Sequence, residues 1–170
     1  MNITMEETFL DYPSPDDSAI IAFFPGCIHN CLGCQNPKLK QLHDEWTYDE
    51  EQEIIRELQK LCWRSDTNKI VLSGGDPLSP CNRKLTIHIC DLLGNNTEYK
   101  YDICIYTGYE IEEVKEMDIL GFEFIKCGRF DVHNIRESLK TDTEMILASP
   151  NQNFFDKNYK QISQDGILKF

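Results

Sequence analysis

The 170 residues carry 17 basic against 29 acidic side chains, a net charge of −12, with 41% hydrophobic and 27% charged residues. A chain of this length and composition reads as one domain, residues 1–170, able to bury a core without disulfide staples, and its acidity argues against nonspecific nucleic-acid binding, which needs a basic footprint. No apolar run approaches the roughly 20 residues that span a bilayer, and the N-terminus shows neither a basic nor an apolar leader region, so no membrane insertion is expected and the expected location is the cytoplasm.

In chain order, residues 1–17 are polar and acidic and read as an arm or an edge strand leading into a turn at Pro13-Ser-Pro15-Asp-Asp17. Ala19-Ile-Ile-Ala-Phe-Phe24, stopped by Pro25-Gly26, is a continuous apolar run of the kind found in a strand buried on both faces. Residues 27–38 lack periodicity and read as a loop. Thr47-Tyr-Asp-Glu50 is a capping-box pattern that opens a helix to about Arg64, with Ile54, Ile55, Leu58, Leu61 and Cys62 on one face. A strand over 69–73 ends in Gly74-Gly75-Asp76-Pro77, and a helix over about 82–93 follows, with Cys90 in its apolar pattern and Gly94 as its stop. A third strand covers 102–106, a short acidic helix about 111–117, and a fourth strand 122–126. Residues 129–143 read as irregular, 145–148 as a short fifth strand, and the tail carries no clear signal.

Strands alternating with helices predict an α/β fold built on a mostly parallel sheet with right-handed crossovers. A complete eight-fold barrel takes about 200 residues or more, so the expectation is a partial, open (β/α) barrel. The strand-end segments at 27–34, 74–77, 106–108 and 127–128 would then share one rim, where parallel α/β proteins gather functional groups.

Eight cysteines are present, of which Cys27, Cys31 and Cys34 are clustered and Cys62, Cys81, Cys90, Cys104 and Cys127 are spread out. The scattered ones read as core residues. Three thiolates at C-x3-C-x2-C spacing can wrap one face of a cubane iron–sulfur cluster and leave one iron without a protein ligand, an open position suited to chemistry. Structural zinc is the competing reading, since His29 lies inside the loop and His43 nine residues beyond it. Zinc sites usually present paired ligands, however, and no second C-x2-C pair exists in the chain. His29 reads as a loop residue.

The run Phe24-Pro-Gly-Cys27-Ile-His-Asn-Cys31-Leu-Gly-Cys34-Gln-Asn-Pro37 resembles the signature loop of radical S-adenosylmethionine enzymes. The position before the third cysteine is commonly aromatic there; Gly33 departs from that and removes one expected contact to the adenine. Gly33 followed by Cys34-Gln35-Asn36 is instead similar to the subgroup that activates anaerobic ribonucleoside-triphosphate reductases. Leu72-Ser-Gly-Gly-Asp-Pro-Leu78 resembles the superfamily segment that holds the methionine amino group of S-adenosylmethionine. Tyr106-Thr-Gly-Tyr-Glu110, Lys126-Cys-Gly-Arg-Phe130 and Ala148-Ser-Pro-Asn-Gln152 resemble later segments of the subgroup, although Cys127 stands where Asp commonly precedes the glycine.

The resemblance implies a 4Fe–4S cluster on Cys27, Cys31 and Cys34, which would be both metal ligands and catalytic residues. It implies S-adenosyl-L-methionine held near Gly33, Cys34, Gln35, Gly74, Gly75 and Asp76. It further implies reductive cleavage of that cofactor to a 5′-deoxyadenosyl radical, which generates a glycyl radical on an anaerobic ribonucleotide reductase, with a low-potential electron donor such as flavodoxin. The short chain leaves little to close over a small molecule, which favours a protein substrate. A radical enzyme acting on a small molecule is the first alternative, and a zinc-stabilised binding module the second. A bulky residue at Gly75 is expected to block the cofactor while sparing the cluster.

Overall fold

The computed structural model describes residues 2–15 and 18–170. Its elements are β1 (Thr4–Thr8), β2 (Ala19–Phe24), α1 (Tyr48–Arg64), β3 (Lys69–Gly74), α2 (Arg83–Ile89), β4 (Asp102–Tyr106), α3 (Ile111–Lys115), β5 (Phe124–Cys127), β6 (Leu139–Lys140), β7 (Glu144–Ile146), β8 (Asn153–Asp156) and β9 (Ile167–Lys169). The turn expected over residues 13–17 falls partly on Asp16 and Asp17, which lie outside the described residues.

The main sheet runs in the order β1-β2-β3-β4-β5-β8. Strands β2 to β5 are mutually parallel, and β1 and β8 flank them antiparallel. The sheet is open, with β1 and β8 at its margins. A second sheet, β6-β7-β9, is antiparallel throughout.

The alternation of side chains along each parallel strand sorts the core into two layers. Ile20, Ala22 and Phe24 of β2, Ile70 and Leu72 of β3, Ile103 and Ile105 of β4, and Ile125 and Cys127 of β5 join Ile55, Leu58 and Cys62 of α1 and Leu85 and Ile89 of α2. The opposite parity, Ala19, Ile21, Val71 and Cys104, packs with Tyr12, Met145, Phe154 and Leu168. Helices therefore cover one face, and the N-terminal arm with the small sheet covers part of the other. Burial on both sides explains why these strands read as continuous apolar runs.

Helix α1 begins at the expected capping box. Glu50 N–H donates to Thr47 Oγ1 at 3.4 Å, and Thr47 N–H donates back to Glu50 Oε2 at 2.8 Å. Helix α2 is shorter than expected, because the chain widens into a π turn over Cys90–Gly94. The strand expected at 145–148 differs more. Residues 144–146 leave the main sheet and pair with β6 and β9. The place beside β5 is taken by β8, whose adjacent Phe154 and Phe155 fill the two core layers at once.

Candidate metal centre

Parallel strands in register deliver their ends to one rim. Phe23 pairs with Ser73 and Tyr106 with Lys126 across the sheet, and these four side chains carry the parity that faces away from the helices. They floor a cavity of about 290 Å³ whose walls are the loops after β2, β3, β4 and β5. Cys27, Cys31, Cys34, Gln35, Gly74 and Gly75 all line it, with Thr107, Gly108, Gly128 and Gln152 from the later segments. Residues from Asp11 to Gln152 thus share one space. Two expected site residues stand apart from this lining. Gly33 backs onto Val132, whose Cγ2 would lie 2.7 Å from a β-carbon there. Asp76 is fully buried and turns inward.

The base of the cysteine loop is tied to its neighbours through the backbone. Gly26 N–H donates to Leu39 O at 2.7 Å, Asp76 N–H to Gly26 O at 2.9 Å and Gly75 N–H to Phe24 O at 2.7 Å. Asn82, fully buried, donates to Pro25 O at 2.6 Å and Asp76 O at 3.0 Å and accepts from Trp46 Nε1 at 2.9 Å. Farther along the loop, Lys40 Nζ donates to Cys31 O at 3.1 Å and Asn36 Nδ2 to Gly74 O at 3.1 Å. Gly75 is pinned so closely that a β-carbon there would sit 2.6 Å from both Gly26 O and Leu39 O. Side chains at position 75 would therefore collide with the foot of the cysteine loop before reaching the cavity. The expectation that such a substitution spares the cluster is corrected on this ground.

The electrostatics separate the loop from the core thiols. Burial pushes the Cys27 thiol up to about 11, helped by the charge of Asp76 and the two other loop cysteines and opposed by its bond to His29 O. A cationic metal centre would have to displace that proton on binding. Cys62 is pushed up to about 12, and Cys90, Cys104 and Cys127 well above the ordinary thiol range, in each case chiefly by burial. These scattered cysteines are core residues. Lys126, with its ammonium 4.2 Å from the centre of the Tyr106 ring, is pulled down to about 8 by desolvation.

The donor set discriminates between metals. A structural zinc ion usually takes four protein ligands, whereas the loop brings three thiols to the cavity. Three soft thiols spread around one cavity suit a larger iron–sulfur body. Cys127, which could be imagined as a fourth ligand, is buried in the helix-side core instead. His29, Asn82, Thr107 and Lys126 are the contributions that reading the sequence did not assign. Thr107 and Lys126 lie inside quoted motifs, whereas nothing local distinguishes Asn82 from an ordinary helix start.

A three-thiol rim on an open, mostly parallel α/β sheet defines a single-cluster iron–sulfur class. The family described as "4Fe-4S single cluster domain" matches residues 18–155, and the chain belongs to it. The chain is 27% identical over 122 residues to the anaerobic ribonucleoside-triphosphate reductase-activating protein of Enterobacteria phage T4, covering 71% of this chain and 76% of that protein. It is 34% identical over 94 residues to the protein of that name from Haemophilus influenzae and 33% over 94 residues to that from Escherichia coli K12, each match covering 54% of this chain and 59% of the relative. The matched stretch thus spans about three-fifths of these bacterial relatives. No solved structure matches the chain. Among the described residues, no helix is long and apolar enough to cross a membrane.

Proposed function

We propose that this chain is a radical S-adenosylmethionine enzyme that activates an anaerobic ribonucleoside-triphosphate reductase by generating a glycyl radical on it. The observation that carries this reading is the convergence of Cys27, Cys31 and Cys34 with the Gly74–Gly75 turn on one cavity. The relatives' shared name supplies the partner. When bound, a cluster held by the three thiolates supplies one electron for reductive cleavage of S-adenosylmethionine, from which hydrogen abstraction at a glycine of the reductase follows.

The chain's own residues hold and orient. Cys27, Cys31 and Cys34 would hold the cluster as its thiolate ligands. The turn at Gly74 and Gly75 brings bare backbone to the cavity wall and packs so closely on Phe24 and the foot of the cysteine loop that it leaves no room for a side chain. Lys126 presents a partly desolvated cation on the cavity floor, an environment suited to an anionic group of a ligand. Cofactors of this kind carry the hard chemistry while the protein positions them and excludes competing reactions. The open sheet with helices on one face is consistent with a partial (β/α) barrel formed by a single domain. A low-potential donor such as flavodoxin would supply the electron, and the cytoplasm is the compartment that suits such a cluster.

The test is an EPR spectrum of the anaerobically reconstituted, dithionite-reduced protein, with and without S-adenosylmethionine, followed by incubation with the reductase. A reduced 4Fe–4S signal that changes with the cofactor, then a glycyl radical doublet on the reductase, is expected. A cluster that ignores the cofactor would overturn the radical reading. A cofactor response with no signal on the reductase would overturn the partner.

A further inference from the structure

Asp76 is the acid of the Gly-Gly-Asp turn, yet its carboxylate is directed away from the cavity and is 0% exposed. It accepts from Leu78 N–H at 2.7 Å, from the Thr107 hydroxyl at 2.9 and 3.0 Å to its two oxygens, and from Gly108 N–H at 2.9 Å. The fourth neighbour is His29, whose Nε2 stands 2.9 Å from Asp76 Oδ2. A carboxylate offers about four acceptor sites; three donors from two loops take up most of them, and His29 Nε2 stands against the carboxylate from a third loop. Little capacity is left for an ammonium group of a ligand.

His29 lies between Cys27 and Cys31, and it is the one residue of that stretch whose side chain points into the protein. It is 4% exposed. Its ring packs edge-on against Tyr109, with centroids 4.6 Å apart, and lies so close over Gly108 that a β-carbon there would meet it at 2.5 Å. Nε2 makes no aligned hydrogen bond and has Asp76 as its close polar neighbour. A buried polar atom in such a place is costly unless the surrounding structure uses it. The loop after β2 therefore reaches, through His29, the same carboxylate that pins the turns after β3 and β4.

We propose that Asp76 and His29 are positioning residues. They set the cysteine loop in register with the Gly74–Gly75 turn, so that three thiols and one stretch of backbone face the same ligand; His29 lies at the edge of that cavity, and the Asp76 carboxylate stands outside its lining. This rests on the reading of the cavity as the cluster and cofactor site. It reassigns Asp76 from direct contact to support. Residues that support metal ligands from behind typically change metal affinity or activity by about 10–100-fold when altered.

The test compares the full chain with Asp76→Asn, which keeps size and removes charge, and His29→Phe, which keeps the ring against Tyr109 and removes Nε2. Two readouts are needed: S-adenosylmethionine titration of the reduced-cluster EPR signal, and hydrogen exchange of residues 27–36 in the metal-free protein. With iron loading retained, both variants should need about 10–100-fold more cofactor, and both should exchange faster in the cysteine loop. If Asp76 binds cofactor directly, only Asp76→Asn will shift the titration, and the proposal falls. A His29→Phe protein with wild-type titration and wild-type loop exchange also overturns it. Should Asp76→Asn fail to fold, His29→Phe decides alone. A wild-type protein whose cluster ignores the cofactor would instead sink the functional reading, and loop exchange in the metal-free protein would still decide whether the pair holds the loop.

Discussion

At the scale of single residues, the eight cysteines divide by environment. The three in the loop are partly exposed on one cavity, whereas Cys62 is 1% exposed on the inner face of α1. Cys31→Ala should therefore abolish cluster assembly, seen as loss of iron and labile sulfide after anaerobic reconstitution. By contrast, Cys62→Ala should load iron normally and lose about 1–2 kcal/mol of stability by denaturant titration, as expected for a small buried truncation. Iron in the first variant or none in the second would reverse the division. Lys126 makes a pH prediction. Burial lowers its folded pKa to about 8, below the roughly 10.4 of an unfolded lysine. Between those values the unfolded chain binds more protons than the folded one, so this residue's cost to stability is present below pH 8 and fades as pH rises toward 10. Lys126→Met should raise the melting temperature of the metal-free protein at pH 7, and the gain over wild type should shrink by pH 10. A gain independent of pH would show that the ammonium is not desolvated in the fold.

At the scale of elements, local chemistry explains the starts of helices better than their ends. Thr47 and Glu50 satisfy each other's backbone N–H groups, so Thr47→Ala should cost about 1 kcal/mol with no change in cluster content. Thermal melts of the metal-free protein would measure it, and an unchanged midpoint would show the cap to be dispensable. Bonding to Thr47 holds the Glu50 carboxyl below its usual range, so this contribution is present at neutral pH and is lost on acidification through that lowered pKa. The end of α2 was not legible, because its apolar pattern continues through Leu93 while the backbone widens into a π turn. Periodicity reports which face is buried, and here it does not distinguish the two backbone forms. Glu51 was equally hidden. It is 3% exposed and paired with His88 Nδ1 at 2.9 Å on α2, a partner 37 residues away.

At the scale of the whole molecule, β8 holds the far margin of the main sheet, with Phe155 in the helix-side core and Phe154 in the opposite one. Phe154 is fully buried against the layer that includes Met145 of β7 and Leu168 of β9. Phe154→Ala should cost about 3–5 kcal/mol, and loosen the small sheet first, seen as faster hydrogen exchange at 144–146 and 167–169 than at β3. Uniform loosening would mean that the two sheets unfold as one unit.

What the sequence determined by itself is what neighbours along the chain can encode: the spacing of Cys27, Cys31 and Cys34, the apolar runs of β2 to β4, the cap of α1, and the glycines that end the strands. Those features carried the family and the rim on which the site stands. Tertiary structure alone decided which groups meet across that rim. Asp76 reads in sequence as a ligand-facing acid, but the order and register of β2, β3 and β4 bring His29, Leu78, Thr107 and Gly108 to its carboxylate and turn it inward. The same register brings Lys126 to the cavity floor and leaves Gly33 facing Val132. The physical reason is that a buried carboxylate is directed by donors supplied from several strand ends, and no short stretch of sequence contains more than one or two of them.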